Sequence, residues 1–148
     1  MKSKIILLVE DNPKDELLTK RALSRGLHLE DIVVAHDGQE AIDLLFGANH
    51  LESLMPAVVL LDLRLPKLDG HEVLRRIRHD KRTRLLPVVI LTSSDEQSDI
   101  LRGYDEGANS YVRKPVETEA FSEAVKNLGL FWLLTNVPPG NMKSRYEQ

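Results

Sequence analysis

Apolar and polar positions fall in blocks along this chain. Ile5-Ile6-Leu7-Leu8-Val9 and Ala57-Val58-Val59-Leu60-Leu61 have strand length and β-branched content, and turn residues bound both. Runs that are apolar on both faces mark strands buried inside a parallel sheet. The pattern predicts strands at Lys4–Val9, Asp31–Ala35, Ala57–Leu61, Val88–Leu91 (after Pro87) and Ser110–Val112. Segments of helical period stand between them. The first spans Pro13–Arg25, with Asp11 or Asn12 as N-cap, Pro13 at its first position, Leu17, Leu18, Ala22 and Leu23 as its apolar stripe, and Gly26 beyond its end. The second spans Gly38–Phe46, between Asp37 and Gly47. The third, Asp69–His79, turns Val73, Leu74 and Ile77 inward. A fourth runs over Glu96–Glu106 and stops at Gly107. The last begins near Glu117 and carries Phe121, Ala124, Val125 and Leu128.

Five strand–helix repeats with right-handed crossovers give an α/β, doubly wound parallel sheet. The flavodoxin-like (βα)5 arrangement, strand order 2-1-3-4-5, is the expected topology. Residues 1–128 then form one domain, and 129–148 are an extension of the last helix and a tail, with no separate output domain.

Composition narrows the picture. At 148 residues, 42% hydrophobic and 29% charged, the chain reads as one globular domain able to bury its own core. It has no cysteine, which excludes disulfides and thiolate metal sites. A net charge of -3 leaves no basic footprint for nucleic acid. The first apolar run is too short for a signal peptide, and no segment is long enough to span a bilayer. The expectation is a soluble, cytoplasmic protein that binds neither nucleic acid nor membrane.

Chemistry gathers at the strand ends. Glu10 and Asp11 follow the first strand, Asp62 the third, Thr92 the fourth and Lys114 the fifth. In an open α/β sheet these ends share the edge where ligands bind. Crowded carboxylates repel unless a cation joins them, and hard oxygens suit Mg²⁺. Asp62 is the natural nucleophile, since a carboxylate can accept a phosphoryl group as an acyl phosphate. Thr92 can donate a hydrogen bond to that group and Lys114 can supply it with positive charge. Pro115 could set the turn after Lys114 through a cis bond.

Together, Val-Glu-Asp-Asn at 9–12, Leu-Asp-Leu-Arg-Leu-Pro at 61–66, Asp69-Gly70, Leu-Thr-Ser at 91–93 and Lys114-Pro115 resemble the receiver domains of two-component response regulators over about Lys4–Leu128. The resemblance implies that a histidine kinase phosphorylates Asp62. It implies that Glu10, Asp11, the Asp62 carboxylate and the Arg64 carbonyl hold Mg²⁺, and that Thr92 and Lys114 bind the phosphoryl group. Thr92 and Tyr111 take the family's switch positions, where the aromatic ring turns inward as the threonine moves. The resemblance also implies that Arg64 and Ser94, two residues after Asp62 and Thr92, flank the path of the attacking water and tune the lifetime of the phosphoryl group.

Beyond Leu128 come Leu130-Phe131-Trp132-Leu133-Leu134, five apolar residues that cannot all face one core. Exposed apolar residues mark partner surfaces, and Trp132 is the only tryptophan. Phe131, Trp132, Leu133 and Leu134 are therefore candidates for an interface. This extension, with the segment His50-Leu51-Glu52-Ser53-Leu54-Met55-Pro56, is similar to the phytochrome-associated single-domain response regulators. That likeness implies a photoreceptor histidine kinase as partner and a homodimer through the last helix and tail.

The leading expectation is a non-enzymatic phosphorelay protein that signals through protein contacts. A phosphate sink and an unphosphorylated scaffold are the alternatives, and the intact Asp62, Thr92 and Lys114 argue against the scaffold. A haloacid-dehalogenase-type phosphatase needs a second aspartate two residues after the nucleophile, where this chain has Arg64. The five histidines, at 28, 36, 50, 71 and 79, read as surface groups, and the charge run from Arg75 to Arg84 as a solvated helix face and loop.

Overall fold

A computed structural model describes residues 4–47, 52–93 and 97–139. Five strands, β1 (Ile6–Val9), β2 (Ile32–Ala35), β3 (Val58–Leu61), β4 (Val88–Thr92) and β5 (Ser110–Arg113), pair in parallel in the order β2-β1-β3-β4-β5. The expected flavodoxin-like topology is the one observed. Helices α1 (Pro13–Ser24), α2 (Gly38–Phe46), α3 (Gly70–His79), α4 (Gln97–Asp105) and α5 (Glu119–Leu130) alternate with the strands. A 3₁₀ turn, Leu29–Asp31, precedes β2, and a π-helical turn, Phe131–Thr135, prolongs α5. Among the described residues, no helix is long and apolar enough to cross a membrane.

The strands' alternation divides the core into two layers. Leu7, Val9, Val59 and Leu61 face Ala41, Ile42 and Leu45 of α2 and Val73, Leu74 and Ile77 of α3. Ile6, Leu8, Val58 and Leu60 face Ala22 and Leu23 of α1, Phe121 and Val125 of α5, and Leu133. Each fully buried Leu or Ile contributes about 2 kcal/mol by leaving water. Side-chain caps start four helices: Asn12 for α1, Asp37 for α2, Asp69 for α3 and Thr118 for α5. The Thr118 cap puts the start of α5 at Glu119, two residues later than the pattern suggested.

Two close approaches fix the loop that leaves β3. A Cβ on Gly38 would lie 1.7 Å from the Leu68 carbonyl oxygen, so the loop rests directly on the start of α2. A Cβ on Gly70 would lie 2.4 Å from the Asp62 carbonyl oxygen and 2.5 Å from Leu63 Cα. Lys67 occupies the left-handed region (φ 67°) within this loop, a conformation that costs a non-glycine residue about 1 kcal/mol or more. Its ammonium reaches Asp37 at 3.4 Å.

Several expectations need correction. Leu17 is 51% exposed, and the buried positions of α1 are Thr19, Ala22 and Leu23, with Leu18 partly buried against the same layer. The helix is rotated so that its stripe runs down the side facing α5. Leu133 is 4% exposed and belongs to the core, because the π-helical turn carries it back over the α1–α5 layer. Trp132 is partly buried against the same layer, while Phe131 and Leu134 point outward, at 45% and 65% exposure.

His71 is not a surface group. It is buried at the start of α3, and its Nδ1 hydrogen-bonds Glu106 at the end of α4. Arg75 donates to the other Glu106 oxygen at 2.7 Å. Nor is the run from Arg75 to Arg84 wholly solvated. The Arg78 guanidinium donates to the carbonyls of Gly107, Leu86 and Arg84 and to Asn109 Oδ1. Arg82 donates to the Leu45 carbonyl. The Arg78 bonds fasten the segment after α4 and the entry to β4 onto α3, and the Arg82 bond ties the loop after α3 to α2.

The Glu106 cluster should show in acid stability. Burial alone would raise the Glu106 carboxyl, but the hydrogen bonds from His71 and Arg75 outweigh it and hold its pKa below the ordinary value. A depressed folded-state pKa stabilises the fold above the unfolded-state value, and that stability is lost as pH falls through the folded value. Glu106→Gln is therefore expected to cost about 2 kcal/mol at neutral pH. In urea melts between pH 7 and pH 3 its difference from the wild type should shrink toward the acid end. A constant difference would show that the charge of Glu106 does not matter.

Candidate functional site

The site is built where β1, β3 and β5 end. After Val9 the chain leaves the sheet with Glu10 buried and Asp11 exposed. Asn12, not Asp11, caps α1, accepting from Lys14 N at 2.9 Å and Asp15 N at 3.0 Å, so the Asp11 side chain is not used as the cap. Asp62 follows β3, is almost fully buried, and donates its backbone N–H to the Val9 carbonyl at 3.1 Å. Its Oδ1 accepts from the backbone N–H of Arg64 at 3.1 Å. Carboxylate oxygens of Glu10, Asp11 and Asp62 all lie within 4.8 Å of one another. Three hard oxygen donors this close suit a small divalent cation.

Lys114 enters from the far side of the sheet edge. Its backbone N–H donates to the Thr92 carbonyl at 2.9 Å, which ties the ends of β4 and β5 together. The Lys114–Pro115 bond is cis. The ammonium donates to Glu10 Oε1 at 2.7 Å, Asp15 Oδ2 at 2.8 Å and Asp62 Oδ2 at 3.3 Å. These groups, with Asn12, Arg64, Ser93 and the turn after Lys114, line a cleft of about 300 Å³.

Electrostatics follow from burial. Loss of solvent pushes the Glu10 carboxyl up to about 7; the Lys114 hydrogen bond opposes this and the like charge of Asp62 adds to it. Burial would lower the Lys114 ammonium, but hydrogen bonds to Asp15 and Glu10 and the charge of Asp62 outweigh it, holding Lys114 well above its ordinary value. Lys114 is thus a permanent cation facing a surplus of carboxylates.

The structure thus brings Glu10, Asp11, Asp62 and Lys114 together, with Thr92 buried at the same edge. Tyr111 lies elsewhere. Its ring is partly buried in the layer that holds Ile90, beside α4, 6.3 Å from the Tyr104 ring. A Cβ on Gly103 of α4 would lie 3.4 Å from it. Its hydroxyl is buried with no hydrogen-bond partner among the described residues, and burial raises its pKa. Ser94 lies outside the described residues. Asp15, which the sequence offers only as an ordinary acid in the first turn of a helix, joins the site through Lys114.

A five-stranded sheet of this order with an acidic pocket and a lysine at its carboxyl edge defines a receiver domain. Residues 6–126 match the response regulator receiver domain family, and the chain belongs to that family. Its relatives include the probable methanogenesis regulatory protein FilR2 of Methanothrix harundinacea, 43% identical over 92% of this chain and 88% of FilR2. Response regulator Rcp1 of Synechocystis is 34% identical over 92% of this chain and 93% of Rcp1. Among solved structures, the phosphorylated cyanobacterial phytochrome response regulator RcpA superposes with a TM-score of 0.84 at 36% identity, over 95% of this chain and 100% of that one. The Mn²⁺-bound form of Rcp1 superposes with a TM-score of 0.82 at 34% identity, over 93% and 99%. The chain is therefore a receiver domain homologous to phytochrome response regulators, in a family of signalling proteins.

Proposed function

We propose that this protein is a stand-alone response regulator that takes a phosphoryl group from a histidine kinase onto Asp62 in a Mg²⁺-dependent reaction. The observation that carries this reading is the buried Asp62 carboxylate held between a carboxylate cluster and the Lys114 ammonium. A carboxylate oxygen of Asp62 attacks phosphorus as the bond from phosphorus to the donor imidazole nitrogen breaks, its electron pair returning to the ring. Lys114 and the Thr92 hydroxyl hold the phosphoryl oxygens. Glu10, Asp11, Asp62 and the Arg64 carbonyl would hold Mg²⁺, which supplies charge neutralisation when bound. Matches along nearly the whole of Rcp1 and RcpA support both the stand-alone reading and a phytochrome-type photoreceptor as the kinase. Tyr111, packed beside α4, and Thr92 transmit the change to the α4–β5–α5 face.

The test is transfer from a phosphorylated phytochrome-type kinase and from acetyl phosphate. Label on this chain that needs Mg²⁺ and is lost with a chelator is the expected result. Label from other histidine kinases alone would reject the photoreceptor assignment, and no label from any donor would leave a scaffold.

Residues after Leu128 serve on this reading as a homodimer surface. Phe131 and Leu134 project from the turn that ends α5, Val137 follows at 87% exposure, and Trp132 stacks edge-on against Phe131 with centroids 5.0 Å apart. Light scattering should give twice the chain mass, and Leu134→Glu should return a monomer with unchanged melting temperature. Adding beryllofluoride with Mg²⁺ tests whether dimerisation depends on Asp62. A monomeric wild type under every condition overturns the dimer.

A further inference from the structure

The least expected neighbour of the site is Asp15. It sits in the first turn of α1, where its backbone N–H is fixed by the Asn12 cap, and its Oδ2 accepts from Lys114 at 2.8 Å. Lys114 is buried, with 8% of its side chain exposed, so water cannot freely replace its acceptors. An ammonium has three protons. Glu10 takes one at 2.7 Å and Asp15 one at 2.8 Å; the contact to Asp62 Oδ2, at 3.3 Å, is the long one.

We infer that Asp15 is a positioning residue for phosphoryl transfer: with Glu10 it anchors two protons of the Lys114 ammonium, so that the third points at Asp62, where an incoming phosphoryl oxygen takes it. The inference rests on Asp62 being the acceptor. The 3.3 Å contact is the weakest of the three, so a phosphoryl oxygen displaces it with the least loss, while the shorter two hold the charge in place. Without Asp15 the ammonium is free to turn and close on the Asp62 oxygen, covering the lone pair that must attack. With acetyl phosphate as donor, that pair forms the new bond from Asp62 oxygen to phosphorus. The old bond to the acetyl oxygen breaks, and acetate leaves with its electrons.

Asp15→Asn and Asp15→Ala separate geometry from charge, since asparagine keeps an acceptor oxygen and alanine keeps none. Labelling by acetyl phosphate at saturating Mg²⁺ is expected to stay within about threefold of wild type in Asp15→Asn and to fall about tenfold in Asp15→Ala, with both variants melting as cooperatively as wild type. A second readout needs neither metal nor donor. In protein with ¹⁵N-labelled lysine, the Lys114 ammonium protons should exchange slowly with water in wild type and Asp15→Asn, and fast in Asp15→Ala. A labelled wild type with Asp15→Ala unimpaired, or both variants faster than wild type, overturns the positioning role alone; the latter would make Asp15 a repelling charge. A wild type that takes no label overturns this inference together with the proposed function.

Discussion

Asp62→Asn should take up no phosphoryl group from any donor, a loss on the order of a thousandfold or more against wild type in radiolabel or intact-mass assays. The amide oxygen of asparagine is not a nucleophile at neutral pH. It can still accept the hydrogen bond that Arg64 N–H gives to Asp62 Oδ1, so the loop keeps its shape. The melting temperature should therefore move by only a few degrees, which separates a lost reaction from a lost fold. Label appearing in Asp62→Asn at the wild-type rate would mean that another carboxylate is the acceptor, with Glu10 and Asp11, both within 4.8 Å, as candidates.

Gly70→Ala should damage both stability and labelling, through one contact. At an ordinary exposed helix position, replacing glycine by alanine stabilises by about 1 kcal/mol. Here the new Cβ would meet the Asp62 carbonyl oxygen at 2.4 Å and Leu63 Cα at 2.5 Å, and both are backbone atoms. Neither can rotate away, so α3 or the strand end must shift. The Gly70 N–H bond to the Leu63 carbonyl, 2.9 Å, ties the same two segments and resists that shift. The expected cost is about 3 kcal/mol, read as a fall in melting temperature of roughly 10 °C. Because Asp62 itself would move, labelling should fall about a hundredfold even where the protein is still folded. A variant as stable and as fast as wild type would show that the loop yields without cost.

Much of this protein is legible in its sequence because the relevant signals are local. The runs at Ile5–Val9 and Ala57–Leu61 are apolar at every position, rich in β-branched residues and bounded by turn residues, as strands covered on both faces are. Strand–helix alternation then leaves few topologies, and right-handed crossovers select among them. The residues after those strands follow from topology alone: parallel strands end at one edge, so Glu10, Asp11, Asp62 and Lys114 meet there although 104 positions separate Glu10 from Lys114.

What stayed hidden depends on where one surface meets another. A helical stripe says which residues share a side, but not how the helix is rotated onto the sheet, so the pattern points Leu17 inward where the fold buries Thr19 instead. Spacing gives no sign that His71 will find Glu106, 35 residues away, once α3 and α4 lie side by side. The apolar run after α5 does not reveal that a π-helical turn brings Leu133 home and leaves Leu134 outside. Asp15 reads as an ordinary first-turn acid until Lys114 arrives from β5.

The elements, their order in the sheet and the carboxyl edge where chemistry collects thus follow from residue order. Apolar periodicity and strand-end residues act over a few positions, and the handedness of connections does the rest. Packing of distant segments sets which acids the lysine holds, how closely Gly70 pins the Asp62 backbone, and which apolar residues stay exposed. Those are matters of contact at the scale of one atom, and contact between distant segments exists only after the whole chain has packed.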